Sequence, residues 1–83
     1  MRAHIPQTTE GVNLLLDTLI SGRELKNDAA LSRELQVNPP VISKLRRGTL
    51  PLGATFVLQV HDVFDMPIFD IKALAAAGGA AAK

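Results

Sequence analysis

The chain has 83 residues, no cysteine, and nine lysines and arginines against eight acidic residues, for a formal charge of +1. That length bounds it to one domain with a modest core, and the missing thiols exclude a disulfide framework, a thiolate metal site and a cysteine nucleophile. With so little net charge, any attraction for a polyanion has to come from local clustering of cations.

No apolar run approaches the ~18–20 residues needed to span a bilayer, and the opening MRAHIPQTTEG lacks the long apolar stretch of a secretion signal. A reducing cytoplasm is the compartment this composition suits. Residues 1–7 read as a flexible N-terminal arm, with Arg2 and His4 polar and Pro6 opposed to helix. Thr8 or Thr9 is placed to cap a first helix, with Glu10 in its first turn. Val12, Leu15, Leu16 and Leu19 follow at i, i+3, i+4, i+7 and form a core stripe, widened by Leu14 and Ile20. Gly22 is expected to end this helix, and Arg23 to Lys26 to form a connector with Leu25 as its apolar anchor.

The next stretch, Asn27 to Gly48, holds two short amphipathic runs around a tight corner. Leu31 and Leu35 lie one turn apart on the first, and Ile42 and Leu45 share a face on the second. Asn27 is a good N-cap for one and Asn38 for the other, where Pro39 supplies the φ suited to a first helical position. Gly48 closes the second run, and Lys44, Arg46 and Arg47 give it a basic face. After the breaker-rich Thr49–Gly53, a fourth helix is predicted from about Ala54 to Phe64, carrying Phe56, Val57, Val60, Val63 and Phe64. Asp65-Met66-Pro67 interrupts it, and a fifth helix starts near Pro67 with Ile68, Phe69, Ile71 and Leu74. Residues 76–83 form an alanine- and glycine-rich tail, expected to be disordered because Gly78-Gly79 breaks helix and no large side chain is left to bury.

The Asn27–Gly48 stretch, NDAALSRELQVNPPVISKLRRG, resembles the helix-turn-helix of the phage repressor and Cro-like (lambda-repressor-like) DNA-binding family. The matching positions are Leu31, Leu35, Val37, Ile42, Leu45 and Gly48, with the run Ile42-Ser43-Lys44-Leu45. Ser32 stands where the family usually has alanine, and Gln36 where it prefers glycine. The resemblance implies an all-α, compact five-helix domain over residues 8–75, with the helix-turn-helix at helices two and three. It implies a left-handed conformation at Gln36, which costs a non-glycine residue on the order of 1–3 kcal/mol.

The function that the resemblance implies is a sequence-specific transcriptional regulator, a repressor rather than an activator, acting at the nucleoid. It would read double-stranded DNA in the major groove with the third helix, about residues 39–47. Carried over position by position, Asn38, Pro39, Pro40, Ser43, Lys44 and Arg47 face the DNA, with Arg46 and Arg33 as further candidates. Lys44 suits guanine, and Arg47 suits the phosphate backbone. Asn38 suits adenine unless capping uses its side chain, and capping is its expected use. The prolines withdraw two N–H donors but offer rigid apolar surface to thymine methyl groups.

Ile68, Phe69, Ile71 and Leu74 offer more apolar surface than a terminal helix of a small monomer needs, which points to a homodimer contact. The competing reading is an antitoxin or interaction module whose helices four and five hold a protein partner such as a toxin or antirepressor. An enzyme has little support. His61 can pair with Asp62 or Asp65, but this reads as a structural histidine. Asp62, Asp65 and Asp70 lack the ligand spacing of a metal loop. No metal, cofactor or catalytic residue is expected.

Overall fold

The computed structural model describes residues 7–81. It consists of α1 (Thr9–Arg23), α2 (Asp28–Leu35), α3 (Pro39–Arg47), α4 (Ala54–Phe64) and α5 (Ile68–Ala81). Among the described residues there is no strand, and no helix is long and apolar enough to cross a membrane. The helices form one compact all-α domain around one core. The expected arm, residues 1–7, falls outside the described residues except for Gln7. That side chain is fastened to the body: its amide accepts from the Leu52 N–H at 2.8 Å and donates to the Leu52 carbonyl at 3.3 Å.

α1 is the central element, packing on α5 most extensively and also on α3 and α2. The Thr8 hydroxyl caps it by accepting from the Gly11 N–H at 2.9 Å. Val12, Leu15, Leu16 and Leu19 are buried as the periodicity requires, whereas Leu14 remains 43% exposed and adds nothing to the core face. Leu31 and Leu35 of α2, Ile42 and Leu45 of α3, and Phe56, Val57 and Val60 of α4 complete the core with Ile71 and Ala75 of α5.

Gly22 does not end α1, contrary to the sequence expectation. The helix continues to Arg23 and closes at Glu24, which takes the left-handed conformation at φ 54°. There the Glu24 N–H donates to the Ser21 carbonyl and the Leu25 N–H to that of Ile20. This closure turns Leu25 back against the core, which favours it over an earlier stop. α2 closes in the same way. Gln36 sits at φ 58°, the left-handed corner expected of it, and Val37 donates to Ser32 and packs on the core. α3 closes at Gly48 (φ 78°), the only glycine of these three caps. An added Cβ there would also come within 2.5 Å of the Thr9 hydroxyl.

α5 starts at Ile68, beside Pro67 as expected, but differs from expectation in two other respects. Ile71 is fully buried against the rest of the chain, so it is core and not docking surface. The helix also continues through Gly78 and Gly79 to Ala81, where a break was expected. Alanines flank the pair on both sides, and two glycines cost a helix about 1 kcal/mol each, a penalty that need not interrupt it.

The docking of α1 on α5 depends on a glycine. Gly11 is buried, and a Cβ on it would lie 1.9 Å from the Ala75 carbonyl oxygen, which also accepts from the Thr8 N–H at 3.0 Å. Gly22, in the same helix, has nothing within 4 Å of its added Cβ. The same substitution should therefore act with opposite signs at the two positions. Gly22→Ala should stabilise by about 0.5–1 kcal/mol through helix propensity, whereas Gly11→Ala should destabilise by about 2 kcal/mol because backbone has to move. Urea denaturation of both variants checks this, and equal shifts would rule out the close approach.

Candidate nucleic-acid interface

α3 begins with two prolines and ends with two arginines, and its side chains divide by face. Ile42 and Leu45 point into the core and Val41 is half-buried. Asn38, Pro39, Pro40, Ser43, Lys44 and Arg47 are all exposed. Residues 40, 43, 44 and 47 follow at i, i+3, i+4, i+7 and so line one stripe of the helix. Arg33 is exposed on α2.

Asn38 does not use its side chain to cap α3, which corrects the expectation from sequence. Its backbone is extended, as an N-cap requires (φ −68°, ψ 139°), yet it makes no side-chain cap hydrogen bond. The reason lies in the two positions that an N-cap side chain can serve. Pro40, the second helical residue, has no N–H to give. Val41, the third, donates its N–H to the Asn38 backbone carbonyl at 2.9 Å.

Arg46 is also corrected. It was a candidate for the DNA-facing set, but its guanidinium is engaged by neighbouring helices. Nε and one terminal nitrogen donate to the two Asp28 carboxylate oxygens of α2, at 2.8 and 2.9 Å. The same terminal nitrogen donates to Asp17 at 2.8 Å, and the other donates to the Asn13 amide oxygen at 2.7 Å, both on α1. Asn13 completes a reciprocal clasp, donating its own amide to the Arg46 carbonyl at 3.0 Å and to that of Thr9 at 2.9 Å. Hydrogen bonding to Asp28 is the chief cause that raises the Arg46 pKa above the ordinary arginine value, against an opposing effect of burial.

The exposed face of α3 is therefore left with Lys44 and Arg47 as its cations. Among the described residues, neither they nor Arg33 enters an ion pair; the pairs that form belong to Arg46 and to Arg23, which bonds Glu34 at 2.9 Å. Sequence reasoning missed Asn13, Asp17 and Asp28 as partners of α3. The available signal was the i, i+4 spacing of Asn13 and Asp17 beside the α1 core stripe.

The other titratable candidates make structural contacts. His61 bonds the Met66 carbonyl through Nδ1 at 2.8 Å, in the α4–α5 turn, rather than Asp62 or Asp65. Beside α3, a groove of about 400 Å³ is lined by residues including Val37, Val41, Leu50 and Phe56, with no ionisable side chain. On α5, Phe69 is 80% exposed, while Ile68 and Leu74 pack partly against the core. Comparison with known proteins finds no match to this chain among family models, curated proteins or solved structures.

The Arg46 clasp should be measurable in folding. Hydrogen bonds involving charged groups contribute about 1.5–3 kcal/mol each when buried, and partial exposure of this cluster reduces that. Arg46→Met should cost about 2 kcal/mol in chemical denaturation. Arg46→Lys should recover only part of it, because an ammonium cannot serve both carboxylates and the amide with the fork of a guanidinium. Stability unchanged in Arg46→Met would mean that the clasp contributes nothing.

Proposed function

We propose that this chain is a sequence-specific DNA-binding regulator of the lambda-repressor-like type, reading the major groove with α3 and acting as a homodimer. The observation that carries this reading is the division of α3 into two faces. Its apolar residues and Arg46 join it to the core, while Asn38, Pro39, Pro40, Ser43, Lys44 and Arg47 remain exposed on an element braced from behind. A left-handed corner at Gln36 and a glycine stop at Gly48 agree with the helix-turn-helix pattern of the sequence. Lys44 suits guanine O6 and N7, and Arg47, one turn further on, suits phosphate, as does Arg33 on α2. Repression is the mode favoured by the sequence resemblance, and a regulator of this kind works at the nucleoid.

Two substitutions separate reading from positioning. Lys44→Ala should lower affinity for the preferred duplex by about 1–3 kcal/mol and relax discrimination at one base pair. Arg47→Ala should weaken preferred and scrambled duplexes alike and reduce the salt slope by about one for each phosphate it no longer neutralises. Titrations of both variants against both duplexes over a salt series check this. If neither substitution weakens binding, α3 is not the reading helix.

Phe69 supports assembly through α5, with Ile68 and Leu74 at its margin. A two-fold dimer would set its reading helices ~34–36 Å apart, the spacing of successive major grooves on one side of the duplex. Phe69→Ser should then shift sedimentation from dimer to monomer and weaken operator binding without unfolding the chain. A wild-type chain that stays monomeric both free and on DNA would remove the dimer. It would turn attention to the second reading, an antitoxin-like module that holds another protein through α4 and α5, which the exposure of Leu58 (51%) together with Phe69 favours.

A further inference from the structure

We infer that the start of α3 reads an A·T base pair, with the Asn38 carboxamide on adenine and the Pro40 ring against the thymine methyl group. This rests on the DNA-binding reading above and deepens it by naming the base pair that this end of the helix takes.

An asparagine before a helix ordinarily gives its side-chain oxygen to the second or third helical N–H. Here the second position is Pro40, and the N–H of the third, Val41, is held by the Asn38 main-chain carbonyl. The exposed carboxamide therefore keeps one acceptor and two donors unspent among the described residues. That combination matches the N7 acceptor and N6 donor of adenine in the major groove.

The neighbouring chemistry favours the same pair. Pro39 and Pro40 are exposed, apolar and rigid, a surface suited to the C5 methyl of thymine. They also withdraw the first two amides that a helix start would offer to a phosphate, so this end is poorly equipped to anchor the backbone. No lysine or arginine lies between Asn38 and Ser43, so guanine lacks its usual bidentate partner there. The exposed cations of the helix, Lys44 and Arg47, come one and two turns later.

The test is selection from a randomised duplex pool with the full chain, followed by titration of the selected duplex. The wild type should enrich an A·T pair at a fixed distance from the centre of the site. Asn38→Ala should lose that preference alone, by about 5- to 150-fold, with its helical circular dichroism intact because the exposed side chain makes no cap hydrogen bond. Asn38→Asp should exchange adenine for cytosine, whose N4 amino group a carboxylate accepts from. Pro40→Ala restores an N–H at the second helical position, so it should recapture Asn38 as a cap and blunt the adenine preference although Asn38 is unchanged. Replacing the paired thymine with uracil removes only the methyl group and should weaken the wild type several-fold. A selected G·C pair, or a preference that survives Asn38→Ala, overturns the adenine assignment while DNA binding stands. Equal affinity for the uracil duplex overturns the proline contact. Failure of the wild type to enrich any duplex removes the DNA-binding reading, and this inference with it.

Discussion

Arg46 ties α3 to both α1 and α2. A helix of nine residues with two large buried side chains has little apolar area to hold it at one angle. The Arg46 guanidinium adds a three-cornered constraint, with Asp28 on α2, and Asp17 and Asn13 on α1. Asn13 returns a bond to the Arg46 carbonyl, so side chain and backbone are tied to the same neighbour. The planar fork matters because its donors leave in fixed directions, and each partner then limits rotation of the helix about its axis. The same clasp decides the electrostatics of the outer face. Of the cations Lys44, Arg46 and Arg47, Arg46 is neutralised by two carboxylates and the other two remain exposed.

A second constraint comes from the helix ends. α1, α2 and α4 end on left-handed Glu24, Gln36 and Asp65, where glycine would be the easier residue. Such a conformation costs a side-chain-bearing residue about 1 kcal/mol or more, so something has to offset it. At Glu24 and Gln36 the compensation is visible. The residue that follows, Leu25 or Val37, donates its N–H back into the last turn and packs on the core. Polar side chains reinforce these ends from other helices. Gln59 of α4 donates to the Leu35 carbonyl at 3.1 Å, and Arg23 stacks on the Phe64 ring at 4.5 Å while bonding the Val63 carbonyl.

α5 shows how one short helix serves two environments. Ile71 and Ala75, four residues apart, lie against α1, where the small side chain of Ala75 and the bare Gly11 allow backbone to meet backbone. Phe69 lies off that stripe and stays in solvent. The apolar count of the segment was legible in the sequence, but not its division, because Ile68, Phe69, Ile71 and Leu74 are equally apolar and only the position of α1 sorts them.

By itself the sequence determined the elements and most of their limits. Asn27 as a cap, Pro39 at a helix start, Gly48 at a stop and Pro67 before the last helix are local devices, each acting within one turn, and all four stand where they were read. The left-handed Gln36 was legible too, through the resemblance of its corner to a known pattern. Tertiary structure decided what local devices leave open. Gly22 was the better stop by propensity, yet closure at Glu24 prevailed because it returned Leu25 to the core. Asn38 was the better cap by residue type, yet the N–H groups it needed were missing at Pro40 and taken at Val41. Arg46 read as one more cation on a basic face, and was drawn inward by residues 18 to 33 positions away along the chain. Spacing rules reach about one helical turn, whereas a side chain's last choice of partner depends on which charges and carbonyls folding brings within about 3 Å of it.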